Sequence, residues 1–308
     1  MISNTVNLKQ QHSDRSHGTL QALFAVMLFS LTVPFTQLAL ADFQAAFIAS
    51  SRALIAGLLA WIIIYKHGWK IPAARVIPWL LLAGSGVVIG FPYLLSLSLT
   101  QVSAADMGVV LAGLPLTTAL MGAWIQHERH GPGFWLAAIS GGLLLASYVL
   151  LNTGGSAVFD SGHLGLLLAT LLMGGIGYSA GAKAATLISG PAAGWQTICW
   201  TLLLYLPVSA FWWGNSWADQ AASTGPIADT SIMALLYLIL ISQLWGFKFW
   251  YQALAAHGVG RISQLQLLQP FFTLLFISLL LQQSIGWLQL LFCCLIVFCV
   301  WLSQTIRK

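Results

Sequence analysis

The sequence predicts an all-α integral membrane protein with ten transmembrane helices, arranged as two inverted five-helix repeats. Three observations predict it. The 308 residues are 58% hydrophobic and only 6% charged, with a mean hydropathy of +0.85, too little polar surface to cover a soluble globule. Apolar runs of the roughly 20 residues that a helix needs to cross a bilayer recur about ten times. Sliding the chain by 155 places Ser98–Leu120 on Ala253–Leu275, aligning Pro115 with Pro270, Thr118 with Thr273 and Glu128 with Gln283. A duplicated, helix-interrupted membrane half is how many carriers are built.

Taken in order, residues 1–17 are polar and of mixed charge and form a cytosolic tail. The first repeat, 18–152, holds spans at 18–40, 44–65, 76–99, 107–126 and 134–152; the second, 162–304, holds 162–187, 194–213, 231–254, 261–281 and 285–304. Ala39-Leu40-Ala41 imitates a signal-peptidase site, but the preceding run exceeds the ~7–15 residues of a signal h-region and is read as an uncleaved first helix. Gly86 and Gly90 in the third span, and Gly177 and Gly181 in the sixth, are spaced for close helix contact. Gly177-Tyr178-Ser179-Ala180-Gly181 also fits the nucleophile elbow of serine hydrolases, but that motif requires a strand-turn-helix context. It lies here in an uninterrupted apolar run, with no Asp and His placed to complete a triad, so the chain is not read as an enzyme.

Threaded from a cytoplasmic N-terminus, the ten spans put Lys9, Arg15, Lys66, Lys70, Arg75, Arg129, Arg261, Arg307 and Lys308 inside and Asp42, Asp106, Asp160, Asp219 and Asp229 outside. That segregation follows the positive-inside rule. It predicts a multi-pass protein of the cell inner membrane with both termini cytoplasmic, and it makes the net charge of +5 a topological signal rather than a nucleic-acid patch. Cys199, Cys293, Cys294 and Cys299 fall within spans and match no metal spacing; His67, His127, His130, His163 and His257 sit at helix ends or in loops. Neither a metal nor another cofactor is expected.

Within the spans, polar and charged residues name the candidate site. Proline removes a backbone donor and clashes with the carbonyl four residues earlier, so Pro115 loosens the bond to Leu111 and Pro270 the bond to Gln266. Either these prolines open a midplane site between inverted halves, or they are plain kinks in packed helices. Ser263, Gln266, Gln269 and Thr273 form a polar stripe on the ninth span, and Ser30, Pro34 and Gln37 another on the first; such stripes either line a path or join helices at ~0.6 kcal/mol per hydrogen bond. Arg52 lies about eight residues, near 12 Å of rise, inside the second span, and must face protein, water or an anion. Lys183 and Lys248 lie near cytosolic helix ends, where they can snorkel. Tyr93 and Tyr178 complete the substrate-binding set with Arg52, Gln37, Pro115, Lys248, Gln266, Gln269 and Pro270, while Glu128, Gln283 and Lys183 are gating or structural candidates. No Asp or Glu occupies the middle of a span. Cations without acids suit a substrate bearing a carboxylate or other anionic group.

Leu111–Glu128, LAGLPLTTALMGAWIQHE, and Trp250–Leu275, WYQALAAHGVGRISQLQLLQPFFTLL, together with Arg in the second span, resemble the drug/metabolite transporter superfamily, specifically its EamA-type permeases. The resemblance covers 18–304. It implies a bundle with peripheral fifth and tenth helices around a central cavity, and a function as a transporter of amino acids or other small metabolites. The sequence departs from that pattern where the family ends its ninth helix with Gly-Glu and this chain has Gln282-Gln283. The function expected is secondary transport, outward, of a small organic solute by alternating access, with the lipid bilayer and a small-molecule substrate as partners and a monomer or homodimer as the unit. The alternatives are a channel or receptor-like scaffold of the same fold and, from another class, an intramembrane enzyme.

Overall fold

The computed structural model describes residues 18–126, 131–152, 161–222, 225–257 and 263–305. Among these the secondary structure is helical throughout, with no strand. Eight helices are long and apolar enough to cross a membrane: α1 Gly18–Ala39, α2 Ala45–His67, α3 Ile77–Ser98, α4 Ala104–Ile125, α5 Pro132–Leu151, α6 Gly162–Ile188, α7 Ala193–Ala222 and α8 Asp229–Ala256. Two shorter apolar helices follow, α9 Leu265–Leu281 and α10 Trp287–Ser303. The chain is thus a multi-pass membrane protein.

The helices pair across the middle of the sequence. α2 lies along α7, α5 along α10, α1 against α8 and α3 against α6; the last two pairings exchange when 155 is added to the first-half member. The helical irregularities recur at the same spacing. α3 carries a π-helical segment at Ser85–Gly90 and α8 one at Leu238–Gly246. α4 tightens to a 3-10 turn at Leu111–Gly113 and α9 begins in one at Ser263–Leu268, each just before its proline. Leu111 and Gln266, whose carbonyls those prolines cannot serve, lie inside the tightened turns, where backbone hydrogen bonding has shifted register.

Backbones meet where the glycines allow it. A Cβ placed on Gly86 would lie 2.4 Å from Met173 O and 2.5 Å from Gly177 Cα, and one on Gly177 would lie 2.5 Å from Val87 Cγ1. α3 and α6 therefore cross backbone on backbone, gaining dispersion contact that lipid would otherwise supply. The outward faces of the bundle keep large apolar side chains such as Phe211, Leu136, Leu279 and Trp287 exposed, as a lipid-facing surface does. All four cysteines are free thiols.

At the end carrying the α1–α2 turn, polar bonds tie the two halves. Asp42 Oδ2 accepts from the Ala228 amide at 2.9 Å, Gln220 Nε2 donates to Asp42 O at 2.9 Å, and the Gln44 amide donates to Gln220 Oε1 at 2.8 Å. At the same end, Tyr148 of α5 (2.6 Å) and Gln289 of α10 (3.0 Å) both donate to Asp106 Oδ1 of α4. Ser103 caps α4 there by accepting from the Asp106 amide at 3.1 Å.

Candidate functional site

Arg52 is 2% exposed, more than a turn into α2. The π-helical segment of α8 inserts an extra residue into its turn, and both Ser242 and Gln243 in that segment meet the guanidinium. Arg52 Nη2 donates to Ser242 Oγ at 3.2 Å and to Gln243 Oε1 at 3.1 Å. Each acceptor is itself held. Ser242 Oγ shares a 2.9 Å hydrogen bond with Thr32 Oγ1 of α1, and Gln243 Nε2 donates to Val87 O, in the π-helical segment of α3, at 3.0 Å. One neutral network thus joins α1, α2, α3 and α8 around a single cation.

That network leaves the cation partly unserved. Arg52 Nε and Nη1 are buried with no hydrogen-bond partner. A charge at membrane depth costs at least ~2.5–3.5 kcal/mol, while hydrogen bonds to a charged group return ~1.5–3 kcal/mol each. Nε carries one N–H and Nη1 two, so three unmade hydrogen bonds are a large unused capacity for an anion. No carboxylate answers them among the described residues: Asp42, Asp106, Asp219 and Asp229 all lie at helix ends or in turns.

The guanidinium borders a cavity that also touches Phe29, Leu111, Tyr178, Phe247 and Gln269. Its lining is drawn from α1, α2, α3, α4, α6, α8 and α9, with nothing from α5 or α10. Phe29, Tyr178 and Phe247 pack on one another with ring centroids 4.9–5.8 Å apart, making an aromatic wall of the cavity. The volume is about 10 Å3, the room of a single water.

On α9 the sequence-predicted stripe turns inward. Gln266, Gln269 and Thr273 are 1%, 5% and 0% exposed; both amide atoms of Gln266, Oε1 of Gln269 and Oγ1 of Thr273 lack a partner. Ser30 of α1 donates to Gln269 O at 3.1 Å, bringing the two predicted stripes together. Pro115 and Pro270 are buried, the first one turn after the cavity residue Leu111 and the second next to Gln269.

Other predicted residues stand elsewhere. Lys248 Nζ sits over Trp195, Trp245 and Phe249 at 4.9, 4.6 and 4.6 Å from the ring centroids, an aromatic cage on α7 and α8 worth ~0.5–2 kcal/mol per contact, outside the Arg52 cavity. Tyr93 stands edge-on to Trp212 at 5.4 Å. Gln37, Lys183 and Gln283 are half-buried and line no part of the cavity. Glu128 and the side chain of Ser263 lie outside the described residues. The sequence reading missed Ser242, Gln243 and Thr32; the signal available was a Ser-Gln pair in the middle of an otherwise apolar span, which hydrocarbon does not tolerate unpartnered.

The EamA-like transporter family model matches the chain twice, over residues 16–153 and 160–305. A protein of Bacillus subtilis (strain 168), "Uncharacterized transporter YdeK", is 36% identical over 297 residues, which is 95% of this chain and 99% of the relative. A solved crystal structure superposes with a TM-score of 0.61 at 18% identity, over 93% of this chain and 98% of the other, a likeness of fold alone. With both halves matched and a relative aligned nearly end to end, the chain belongs to the EamA-like transporter family and is a membrane transporter.

Proposed function

We propose that this transporter carries a small organic solute bearing a carboxylate or other anionic group, outward across the inner membrane, by alternating access around Arg52. The observation that carries the proposal is a fully buried guanidinium with two unpartnered nitrogens, Nε and Nη1, beside a cavity that Gln269, its Oε1 also unpartnered, helps to line. A carboxylate matches the planar fork of Arg bidentately. The aromatic wall suits the solute's apolar body.

The rocking elements are two inverted five-helix repeats, ten spans in all. The recurrence of π and 3-10 segments at a spacing of 155 supports this, as does the exchange of helix partners between halves. The Lys and Arg distribution supports cytoplasmic termini, which makes the latched end of the bundle the outer one. A channel of the same fold needs a continuous wet path; the ~10 Å3 enclosed at the site favours a carrier. The lack of a mid-span acid among the described residues supports facilitated movement or exchange rather than proton coupling.

Binding partners are found by thermal shift of the purified protein against carboxylate-bearing metabolites, since a ligand at 100 times its Kd stabilises by ~2.7 kcal/mol. Counterflow of the hit into proteoliposomes then tests the role of Arg52. Arg52→Ala is expected to abolish uptake and Arg52→Lys to impair it, a point charge replacing the fork. Wild-type flux from folded Arg52→Ala protein removes Arg52 from the site, and uphill uptake driven by an imposed proton gradient overturns the uncoupled mechanism.

A further inference from the structure

A second, larger space lies between α4, α5 and α6. It encloses about 390 Å3 and runs along α5 from Trp135 to Val149. That is more than twice the ~150 Å3 of an engineered apolar cavity that stays dry and takes up benzene. Packed interiors tolerate few voids even the size of a water.

Its chemistry excludes a polar solute. The lining is aliphatic and aromatic apart from Thr117, and Thr117 Oγ1 is turned to the backbone, at 3.0 Å from Leu114 O and 2.9 Å from Leu171 O. A small-molecule site keeps a few convergent polar groups for orientation; this cleft offers none. Its shape suits an extended chain: lined from Trp135 to Val149, it runs for ~21 Å of rise along α5.

The cleft is continuous with the lipid-facing surface. Trp135, Ile139 and Leu168 line it while remaining 49%, 58% and 45% exposed. It runs lengthwise along membrane-spanning helices, as an acyl chain does. We infer that the α4–α5–α6 cleft is a binding site for one acyl chain of a bilayer phospholipid. The chain lies along α4 past the end of its 3-10 turn, because Gly113, the last residue of that turn, and Leu116 both line the cleft. It is independent of the solute carried at Arg52.

Gly142 provides the test, because a Cβ built there meets no atom within 4 Å and the residue lines the cleft. The protein is released from nanodiscs of palmitoyl-oleoyl phosphatidylethanolamine and phosphatidylglycerol into native mass spectrometry, and its melting temperature is measured in detergent with and without the same lipids. The wild type is expected to retain one phospholipid per chain and to melt higher when lipid is returned. Along Gly142→Ala, Gly142→Leu and Gly142→Phe, retention and the lipid-induced rise are expected to fall stepwise, while the lipid-free melting temperature holds or increases as the side chain fills the cleft. Gly165→Leu, on α6 with open space at its Cβ but outside the cleft, keeps the bound lipid. Equal retention by wild type and Gly142→Phe, or no retained lipid in the wild type, overturns the assignment. So does a wild-type dimer that Gly142→Phe turns into a monomer, which gives the cleft to a second copy. The Gly142→Ala variant, which adds one methyl group, keeps the series informative if the largest substitution fails to fold.

Discussion

Arg52 and Gln243, 191 residues apart in the chain, are joined by one hydrogen bond of 3.1 Å from Nη2 to Oε1. Gln243 spends its own amide on Val87 O, so it fixes the cation to α3 without neutralising it. Gln243→Glu separates these two duties. A carboxylate at that position pairs with Arg52 and competes with any anionic solute, while the loss of the bond to Val87 O costs about 1 kcal/mol and is offset by the new pair. Melting within a few degrees of wild type is expected, with counterflow reduced tenfold or more. Gln243→Leu leaves Arg52 with Ser242 alone, removes the donor to Val87 O, and is expected to lower stability by about 1–3 kcal/mol. Unimpaired flux in Gln243→Glu shows that a free cation is not what the solute requires.

The latch at the α1–α2 end gives a pH dependence. The Ser231 hydroxyl and then the Ala228 amide hold the Asp42 carboxyl below its ordinary value, against a small opposing effect of burial. A depressed folded value means that the latch contributes fully above the unfolded carboxylate pKa, ~3.9, and that its contribution is lost as pH falls through the lower folded value. Protection of the Ala228 amide, its exchange slowed relative to an unstructured amide at the same pH, is therefore expected to hold from pH 8 to about 5 and to fall below about 4. In Asp42→Asn that protection is lower at neutral pH and nearly flat across the acid range. A transition near pH 6 in the wild type means that some group other than Asp42 controls the latch.

Much of the fold was legible because hydrocarbon imposes length and composition on each span, and the offset pairing Pro115 with Pro270 also locates the two tightened turns. Arg52 was legible for the same reason, since a charge at that depth demands a purpose. Its partners were harder to read. Ser242 and Gln243 reach one guanidinium only because a π-helical segment shifts the phase of α8, and a 3.6-residue period read from sequence assigns them to different directions. Lys248 looked like a site residue because its cage is half invisible in sequence: Trp245 and Phe249 flank it, but Trp195 comes from α7.

Gln282 ends α9 in the left-handed region, with φ 53° and ψ 27°. An L-residue there costs roughly 1–2 kcal/mol relative to the right-handed region, and glycine is the usual occupant of a helix end in that conformation. This gives a physical reason for the glycine of the family pattern that the chain lacks. Gln282→Gly is expected to raise the melting temperature, by about 0.5–1 kcal/mol of stability once the greater freedom of glycine in the unfolded chain is counted. Gln282→Val, with a branched Cβ, is expected to lower it. A neutral Gln282→Gly would mean that the left-handed turn is not populated.

The crossing of α3 over α6 links packing to the site. Val87 supplies the carbonyl that anchors Gln243, and its neighbour Gly86 faces Met173 O and Gly177 across the crossing. Both clashes at Gly86 are with backbone, which cannot rotate aside, so even Gly86→Ala must push the helices apart. Overpacking of this kind costs about 1–3 kcal/mol, and here the displaced segment is the one that positions the Arg52 network. Gly86→Ala is expected to lower the melting temperature and to reduce counterflow together, whereas Gly122→Ala, whose Cβ meets only Ser179 Oγ at 3.9 Å, changes neither. The discriminating measurement is solute affinity by thermal shift in both variants. Weakened binding in Gly86→Ala ties the crossing to the site through Val87, and intact binding alongside lowered stability confines Gly86 to packing.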